Sequence, residues 1–436
     1  MKIVHVIENY YPDSCGGGTE TYVSHISKLM QMAGEEVYVL APRIGSTEQC
    51  AYLYDGIKVF RFPNSSNEPK QVLTLEKEPS GLDHFIGIIQ ELKPDIVHFH
   101  TFNRSVNGFH LKAVKKLGVR TVFTPHQAGI FCPKGSLLDE RNKRCSGIVA
   151  DCSCVKCYLK GLGFTSLNSS LLSAAASVLV KIPIVNKKLP ASLLVKRTRL
   201  RELKCAAGEA DRVIAISPWV EKTLRANHVN NVTLIRQGIV PEMVSANHHR
   251  EDDTVLKLIF VGRIYPIKSI ETLLEAIENL KDSERVLLTF ACVSGNDEYA
   301  IGIKNRARNL QNVVWLENVP HDELKSLLAE NDFLVLPSIS EMSPLVVLES
   351  FAAGTPVIGT DIPPITDEVE DGKNGLFFPT KDASALADIF RRLLSNPGLK
   401  TELRKGVPTP RTFKDVVTEL LTVYHVLQDD NEDGAI

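Results

Sequence analysis

Glu341 and Glu349 stand eight residues apart around a Ser343-Pro344 step, between an apolar run and a segment that ends in Gly354. Phe333-Leu334-Val335-Leu336 reads as a buried strand, and Pro344 fits the first turn of a helix closing near Gly354. This places Glu341 in the loop ahead of the helix and Glu349 inside it. Backbone N–H groups at such a helix start, from Ser343, Leu345 and Val346 around Pro344, face any anion above the strand ends. A loop carboxylate can grip a polyhydroxylated ligand, and one two turns into the helix can hold a second hydroxyl pair. That chemistry suits a sugar joined to a phosphorylated nucleoside. An ordinary strand–loop–helix with solvated acids has the same spacing.

A second constellation lies upstream. Val261-Gly262-Arg263 closes a candidate strand, Leu258–Val261, and Lys268 follows five residues after Arg263, before a helix starting near Ser269. Two cations at the mouth of a strand–loop–helix neutralise a diphosphate, arginine as a planar fork and lysine as a point charge. Developing charge on a departing diphosphate would be stabilised there. Near the start, Gly16-Gly17-Gly18 separates a first strand from a first helix, and glycines let backbone approach a ligand closely. No Gly-x-Gly-x-x-Gly fingerprint is present. His126 ends Thr121-Val122-Phe123-Thr124-Pro125-His126, where a rim imidazole can meet hydroxyls or a leaving phosphate. His98 and His100 are alternatives, with strand alternation expected to turn one of them into the sheet packing.

Five of nine cysteines fall between Cys132 and Cys157. Cys154-x-x-Cys157 has zinc-ligand spacing, Cys132 and Cys145 are expected to complete a structural tetrahedral site, and Cys152 is the alternate ligand. Unliganded thiols, a redox switch and an iron–sulfur centre are the competing readings. Residues 164–185 are apolar and small, and Lys187, Lys188, Lys196, Arg197 and Arg199 follow. A core helix followed by a solvated basic helix is the expectation; the alternative is peripheral attachment to an anionic membrane.

These side chains need elements to hold them. Short apolar strands alternate with helix-like stretches, which indicates parallel sheets covered on both faces, and 436 residues point to two domains. The expected strands are 3–7, 37–40, 96–100, 121–124, 212–216 and 233–236, then 258–261, 286–290, 313–316, 333–336 and 357–359. The polar stretch 237–254 breaks the alternation and reads as the linker. Residues 1–240, with a cysteine-rich and basic insertion at about 130–204, form one expected domain and 255–412 the other, with ligands at strand carboxyl ends in the cleft between them. Hydrophobic content of 44%, charged content of 23% and a net charge of -2 are ordinary and give no case for nucleic-acid binding. With no leader-like opening and no long apolar run, the expected location is cytoplasmic.

The Glu341-x7-Glu349 stretch resembles the signature of retaining, nucleotide-sugar-dependent glycosyltransferases of family 4, which have the two-domain glycosyltransferase-B architecture. The match continues in order along nearly the whole chain: Lys2–Ile7 as first strand, Gly17-Gly18-Thr19-Glu20 as glycine-rich loop, Gly262-Arg263…Lys268 as phosphate element, then Gly354–Ile358 and Asn374–Phe377. The family often has glycine after the lysine, where this chain has Ser269, a residue that can cap the next helix. The resemblance implies a hexosyl transfer from a nucleoside-diphosphate sugar to a glycan or lipid-linked acceptor, in surface polysaccharide assembly. It assigns Arg263 and Lys268 to the diphosphate, Glu341 and Pro344–Val346 to the sugar, Glu349 to the ribose, and His126 to the reacting region. Gly17 and Gly18 would touch donor phosphate or acceptor, and the last helix, 413–436, would cross back to the first domain. It implies front-face attack without a cofactor; an Asp-x-Asp motif is absent from any suitable place, Asp252-Asp253 lying in the linker and Asp429-Asp430 in the tail. The alternatives are a nucleotide-sugar epimerase on the same fold and a catalytically silent binding subunit.

Overall fold

The computed structural model describes all residues except 13–16, 150, 180–188, 241–253, 281–284, 294, 296 and 433–436. The chain divides into two compact units, Met1–Arg236 with Lys414–Ile436, and Gln237–Phe413.

The first unit holds β1 (Lys2–Val6), β2 (Glu36–Ile44), β3 (Cys50–Tyr54), β4 (Ile57–Asn64), β5 (Ile96–Phe99), β6 (Arg120–Phe123), β7 (Arg212–Ala215) and β8 (Val232–Leu234). They form one sheet in the order β3-β4-β2-β1-β5-β6-β7-β8. All neighbours are parallel except β3 and β4. That antiparallel pair adds two strands to the expected set. Asp55 and Gly56 make its turn with φ of 52° and 81°, the left-handed pair that an Asp-Gly dipeptide readily adopts. Central strands are buried on both faces, as in β5, where all four residues are buried.

The second unit holds β9 (Leu256–Arg263), β10 (Val286–Val293), β11 (Val313–Glu317), β12 (Phe333–Leu336), β13 (Val357–Thr360) and β14 (Gly375–Phe378). These form a sheet in the order β11-β10-β9-β12-β13-β14, parallel throughout. Alternate residues of β9 feed two cores. Leu256, Leu258 and Phe260 pack with the helices Ile270–Glu278 and Ala383–Ser395, while Ile259 packs with the helix Leu345–Ala352.

Where the chain enters and leaves the second unit, two segments run side by side. Ile239 N–H donates to the Arg411 carbonyl at 3.0 Å, and Phe413 N–H donates to the Ile239 carbonyl at 2.8 Å. A Cβ on Gly238 would stand 2.4 Å from the Thr412 carbonyl oxygen, so this approach excludes any side chain. The final helix, Phe413–Glu432, belongs for most of its length to the first unit. There the Tyr424 hydroxyl meets His98 Nδ1 of β5 at 2.6 Å.

Candidate functional site

In the second unit the strand order reverses between β9 and β12, and crevices of doubly wound sheets open at the carboxyl ends of such strands. Gly262 and Arg263 end β9, with Gly262 at φ 147°, a backbone that favours glycine. A single 3-10 turn, Pro266–Lys268, follows, and the Ile339 N–H donates to the Ile267 carbonyl at 2.8 Å. That bond ties the loop after β9 to the loop after β12. Lys268 Nζ thereby reaches Glu341 Oε1 at 2.6 Å, in a partly buried ion pair. The two residues thus partner each other across the switch point, although they lie 73 positions apart.

Pro344 stands one position before the helix Leu345–Ala352, as its N-cap in extended backbone, rather than inside its first turn. The helix start therefore carries the N–H groups of Leu345 and Val346. Its far end is closed by Gly354 at φ 74° and by Ser350 Oγ donating to the Thr355 carbonyl at 2.7 Å. Thr360 Oγ1 on β13 donates to the Ser338 carbonyl at 2.5 Å, which anchors the loop leading to Glu341. Glu349 is half-buried on the helix, and Arg263 is exposed at the strand end. Ser269 holds the N-cap position of the next helix, but its side chain makes no cap bond to the backbone. It meets Thr272 Oγ1 at 2.9 Å instead.

The first unit reverses its strand order between β1 and β5, and four imidazoles gather there. His5 pairs in register with His98. His5 Nδ1 meets His100 Nε2 at 2.9 Å, and His100 Nδ1 meets His126 Nε2 at 3.2 Å. His98 is saturated by Tyr424 and by Thr124 Oγ1 at 2.7 Å. His98 and His100 are two apart and share one face, their ring centroids 4.0 Å from each other, so alternation does not separate them. Both are fully buried. Burial lowers the imidazoles of His5 and His126 to about 3 and those of His98 and His100 well below their ordinary value. All four are therefore neutral at pH 7. His5, His98 and His100 present ligand atoms within 4.8 Å of one another, yet hydrogen bonds engage both nitrogens of His98 and of His100. A metal there would have to displace them.

His5 Nε2 is buried without a hydrogen-bond partner. An orphaned buried N–H is rarer than an orphaned acceptor, so the His5 proton belongs on Nδ1. His5 then donates to His100 Nε2, His100 donates from Nδ1 to His126 Nε2, and His126 carries its proton on Nδ1. The chain of rings makes the remaining nitrogen of His126 a donor. Tyr22 packs on the His126 ring at 4.7 Å.

Residues 244–408 match glycosyl transferases group 1, and residues 16–166 match Glycosyltransferase Family 4. The chain belongs to the family 4 glycosyltransferases. An uncharacterised glycosyltransferase of Methanocaldococcus jannaschii is 28% identical over 229 residues, which are 52% of this chain and 62% of that protein. A D-inositol 3-phosphate glycosyltransferase of Streptomyces bingchenggensis is 30% identical over 158 residues, 34% of this chain and 35% of that one. The chain thus spans less than two thirds of either curated relative. Among solved structures, sucrose-phosphate synthase from Thermosynechococcus elongatus superposes with a TM-score of 0.66 at 18% identity, over 98% of both chains. An Anabaena protein, HepE, solved with UDP and glucose, gives 0.64 at 14% identity, over 98% of this chain and 100% of that one. These likenesses establish the glycosyltransferase-B fold, two doubly wound parallel-sheet units.

In this family 4 chain, Arg263, Lys268 and Glu341 lie at the switch point of the second unit, and His98, His100 and His126 at that of the first. Gly17 is the N-cap of the helix Gly18–Met32 after β1, in extended backbone, while Gly16 lies outside the described residues. His5, Tyr22 and Tyr424 join the histidine cluster without having been singled out in the sequence. His5 alternates with core residues on an apolar strand, and only its partners in β5 reveal it. The four cysteines Cys132, Cys145, Cys154 and Cys157 line one cavity of about 490 Å³. Nothing is described of the Cys152 side chain, or of Lys187, Lys188, Asp252 and Asp253.

The segment after the cysteines departs from the expected core helix and solvated basic helix. In the helix Ser166–Leu179, Ser169, Ser173 and Ala176 are buried, while Leu167, Leu171 and Val178 are 69%, 62% and 62% exposed. Three large apolar side chains thus line one outward face, and three small residues pack inward on the opposite side. Two basic residues of the helix Ala191–Glu209 are tied to neighbouring segments instead. Arg199 Nη1 donates to the Gly129 carbonyl at 2.7 Å, and Arg201 pairs with Glu76 at 3.6 Å. No helix among the described residues is long and apolar enough to cross a membrane.

Proposed function

We propose that this chain transfers a hexosyl unit, with retention at the anomeric carbon, from a nucleoside-diphosphate sugar to a glycan or lipid-linked acceptor. The observation that carries this reading is the convergence of Arg263, Lys268 and Glu341 at the switch point of one parallel sheet, beside the helix start at Leu345. Arg263 and Lys268 would neutralise the departing diphosphate. Arrival of the phosphates would draw Lys268 away from Glu341 and leave that carboxylate to hold sugar hydroxyls, with Ser343, Pro344, Leu345 and Val346 around it. Glu349 would hold the ribose, and His126, donating from Nδ1, would hydrogen-bond the transferred sugar. Gly17 and Gly18 would lie against donor or acceptor. The bond from the anomeric carbon to the leaving phosphate oxygen breaks as the acceptor oxygen bonds to the same face. The acceptor proton passes to that phosphate oxygen, so no further reactant is needed.

The complexes of the Anabaena protein with UDP and glucose and with UDP-glucose support a nucleotide-sugar donor. The exposed stripe Leu167, Leu171 and Val178 supports a lipid-linked acceptor reached from a membrane surface, in assembly of a surface polysaccharide.

Thermal-shift measurements with UDP, GDP, ADP and their sugar conjugates test the donor site. One base should stabilise the wild type, by about 2.7 kcal/mol at a hundredfold excess over Kd. Arg263→Ala and Lys268→Ala should lose that shift while unfolding cooperatively without ligand. A wild type that no nucleotide stabilises, or variants that retain the full shift, would remove this assignment.

A further inference from the structure

We propose that Cys132, Cys145, Cys154 and Cys157 form a structural zinc site with four thiolate ligands, separate from the transfer chemistry. Cys154 and Cys157 lie three apart on the helix Asp151–Gly161, so they share one face over a single turn. Cys132 follows the 3-10 turn Ala128–Ile130, and Cys145 follows the isolated bridge between Leu138 and Arg144. Three segments of chain thus deliver four thiols to one cavity, and none of the four is in a disulfide. Cys157 Sγ donates to the Leu138 carbonyl at 3.3 Å, a bond that the thiolate would give up to the metal. The ligand atoms already within 4.8 Å of one another are those of the three histidines, not the thiols. The metal would draw the sulfurs together, and Cys132 and Cys145 lie outside the helices and strands.

The loop itself supplies an independent reason. Between Cys132 and Val149 only that isolated bridge provides regular pairing, in a stretch longer than the roughly 12–15 residues that compact domains usually leave irregular. Leu137 is fully buried at φ 53°, a left-handed backbone rarely adopted by a bulky side chain. Such a conformation persists only where the surroundings over-determine it. Cys145 N–H donates to the Leu137 carbonyl at 2.6 Å, so the left-handed residue is bonded to a proposed ligand. Lys134, Arg141 and Lys156 line the same cavity together with Asp139 and Glu140, and Lys156 pairs with Glu140 at 2.9 Å, so these side chains leave a small positive balance towards four thiolates. Zinc binding would supply the ordering energy that so polar a loop cannot obtain from apolar burial.

The test is metal analysis of full-length protein purified without chelator. About one zinc per chain is expected, together with intense thiolate-to-cobalt absorption after exchange into cobalt. The Cys154→Ser/Cys157→Ser double variant should fall to about a tenth of that content or less, and Cys152→Ser should keep it. Substoichiometric zinc in the wild type, iron–sulfur absorption, or loss of metal in Cys152→Ser would each overturn the assignment. The wild-type content decides even if the double variant fails to fold. None of these readings involves donor or acceptor, so they are independent of the transferase reading.

Discussion

Ser269 adopts φ 49° and ψ 44° immediately after Lys268, a left-handed conformation that costs an L-residue roughly 1–2 kcal/mol. Glycine would suit this place for a backbone reason: the turn that aims Lys268 at Glu341 needs positive φ one residue later. The serine is fully buried, and its hydroxyl is spent on Thr272 rather than on the helix start. Two substitutions separate backbone from hydroxyl. Ser269→Gly and Ser269→Ala both lose the bond to Thr272, but only glycine relieves the backbone. Glycine should therefore be the more stable of the two by about 0.5–1 kcal/mol in urea unfolding, after its larger unfolded-state entropy is subtracted. An alanine variant at least as stable as glycine would show that the left-handed turn carries no strain.

At the scale of elements, β1 and the segments after β5 and β6 act together, because each contributes an imidazole to one hydrogen-bonded chain. The sign of its pH dependence follows from the lowered values. An unfolded histidine titrates near 6.5, and His5 and His126 in the folded chain titrate near 3. Between those limits the unfolded state binds more protons. The stabilisation is therefore complete above about pH 6.5 and is lost as pH falls towards 3. Each ring contributes at most about 1.4 kcal/mol per pH unit in that window, and His126, which is only half-buried, contributes less than His5. Denaturation midpoints followed from pH 7 to pH 4.5 should fall steeply, and less steeply in His5→Leu. A flat profile would mean that the imidazoles are solvated. The direction of the chain has its own readout. In protein labelled with 15N-histidine, His126 should bear its proton on Nδ1, and His5→Leu should yield a mixture of tautomers. A proton on Nε2 of wild-type His126 would reverse the deduced order.

At the scale of the whole molecule, a helix with its apolar side outward is the feature that neither unit's core requires. Leu167, Leu171 and Val178 lie on a single face and remain open to solvent. Partition onto anionic phospholipid vesicles is the expected consequence, and it should weaken at high salt if basic residues assist. The pair Leu167→Glu/Leu171→Glu should lower vesicle co-sedimentation about tenfold or more, given ~1.5–3 kcal/mol for burying each leucine. Its thermal stability should be unchanged, because both positions are exposed. Equal sedimentation of variant and wild type would remove the membrane surface as the partner of this stripe.

The sequence by itself determined the elements whose signal is local. Short continuous apolar runs bounded by turn residues, such as Phe333–Leu336 and Val357–Gly359, read as strands buried on both faces, and Gly354 and Pro344 bracket their helix through backbone preferences. Acid and cation motifs were legible because chemistry demands particular residue types at particular spacings. The edge strand β3 is largely exposed and carries little hydrophobic signal, whereas β4 is buried at all but one residue and, with the Asp55-Gly56 turn, was open to being read from its apolar residues. What only the tertiary structure decided is which distant residues meet. Lys268 and Glu341 are brought together by a sheet that places β9 beside β12, and His5 acquires its partners only when β1 lies against β5. Likewise, the outward face of Ser166–Leu179 could not be read from an apolar, small-residue segment, because composition is the same whichever side a helix turns to its neighbours. Pairing across a sheet and the choice of a buried face are properties of long-range packing, and no local window of sequence contains them.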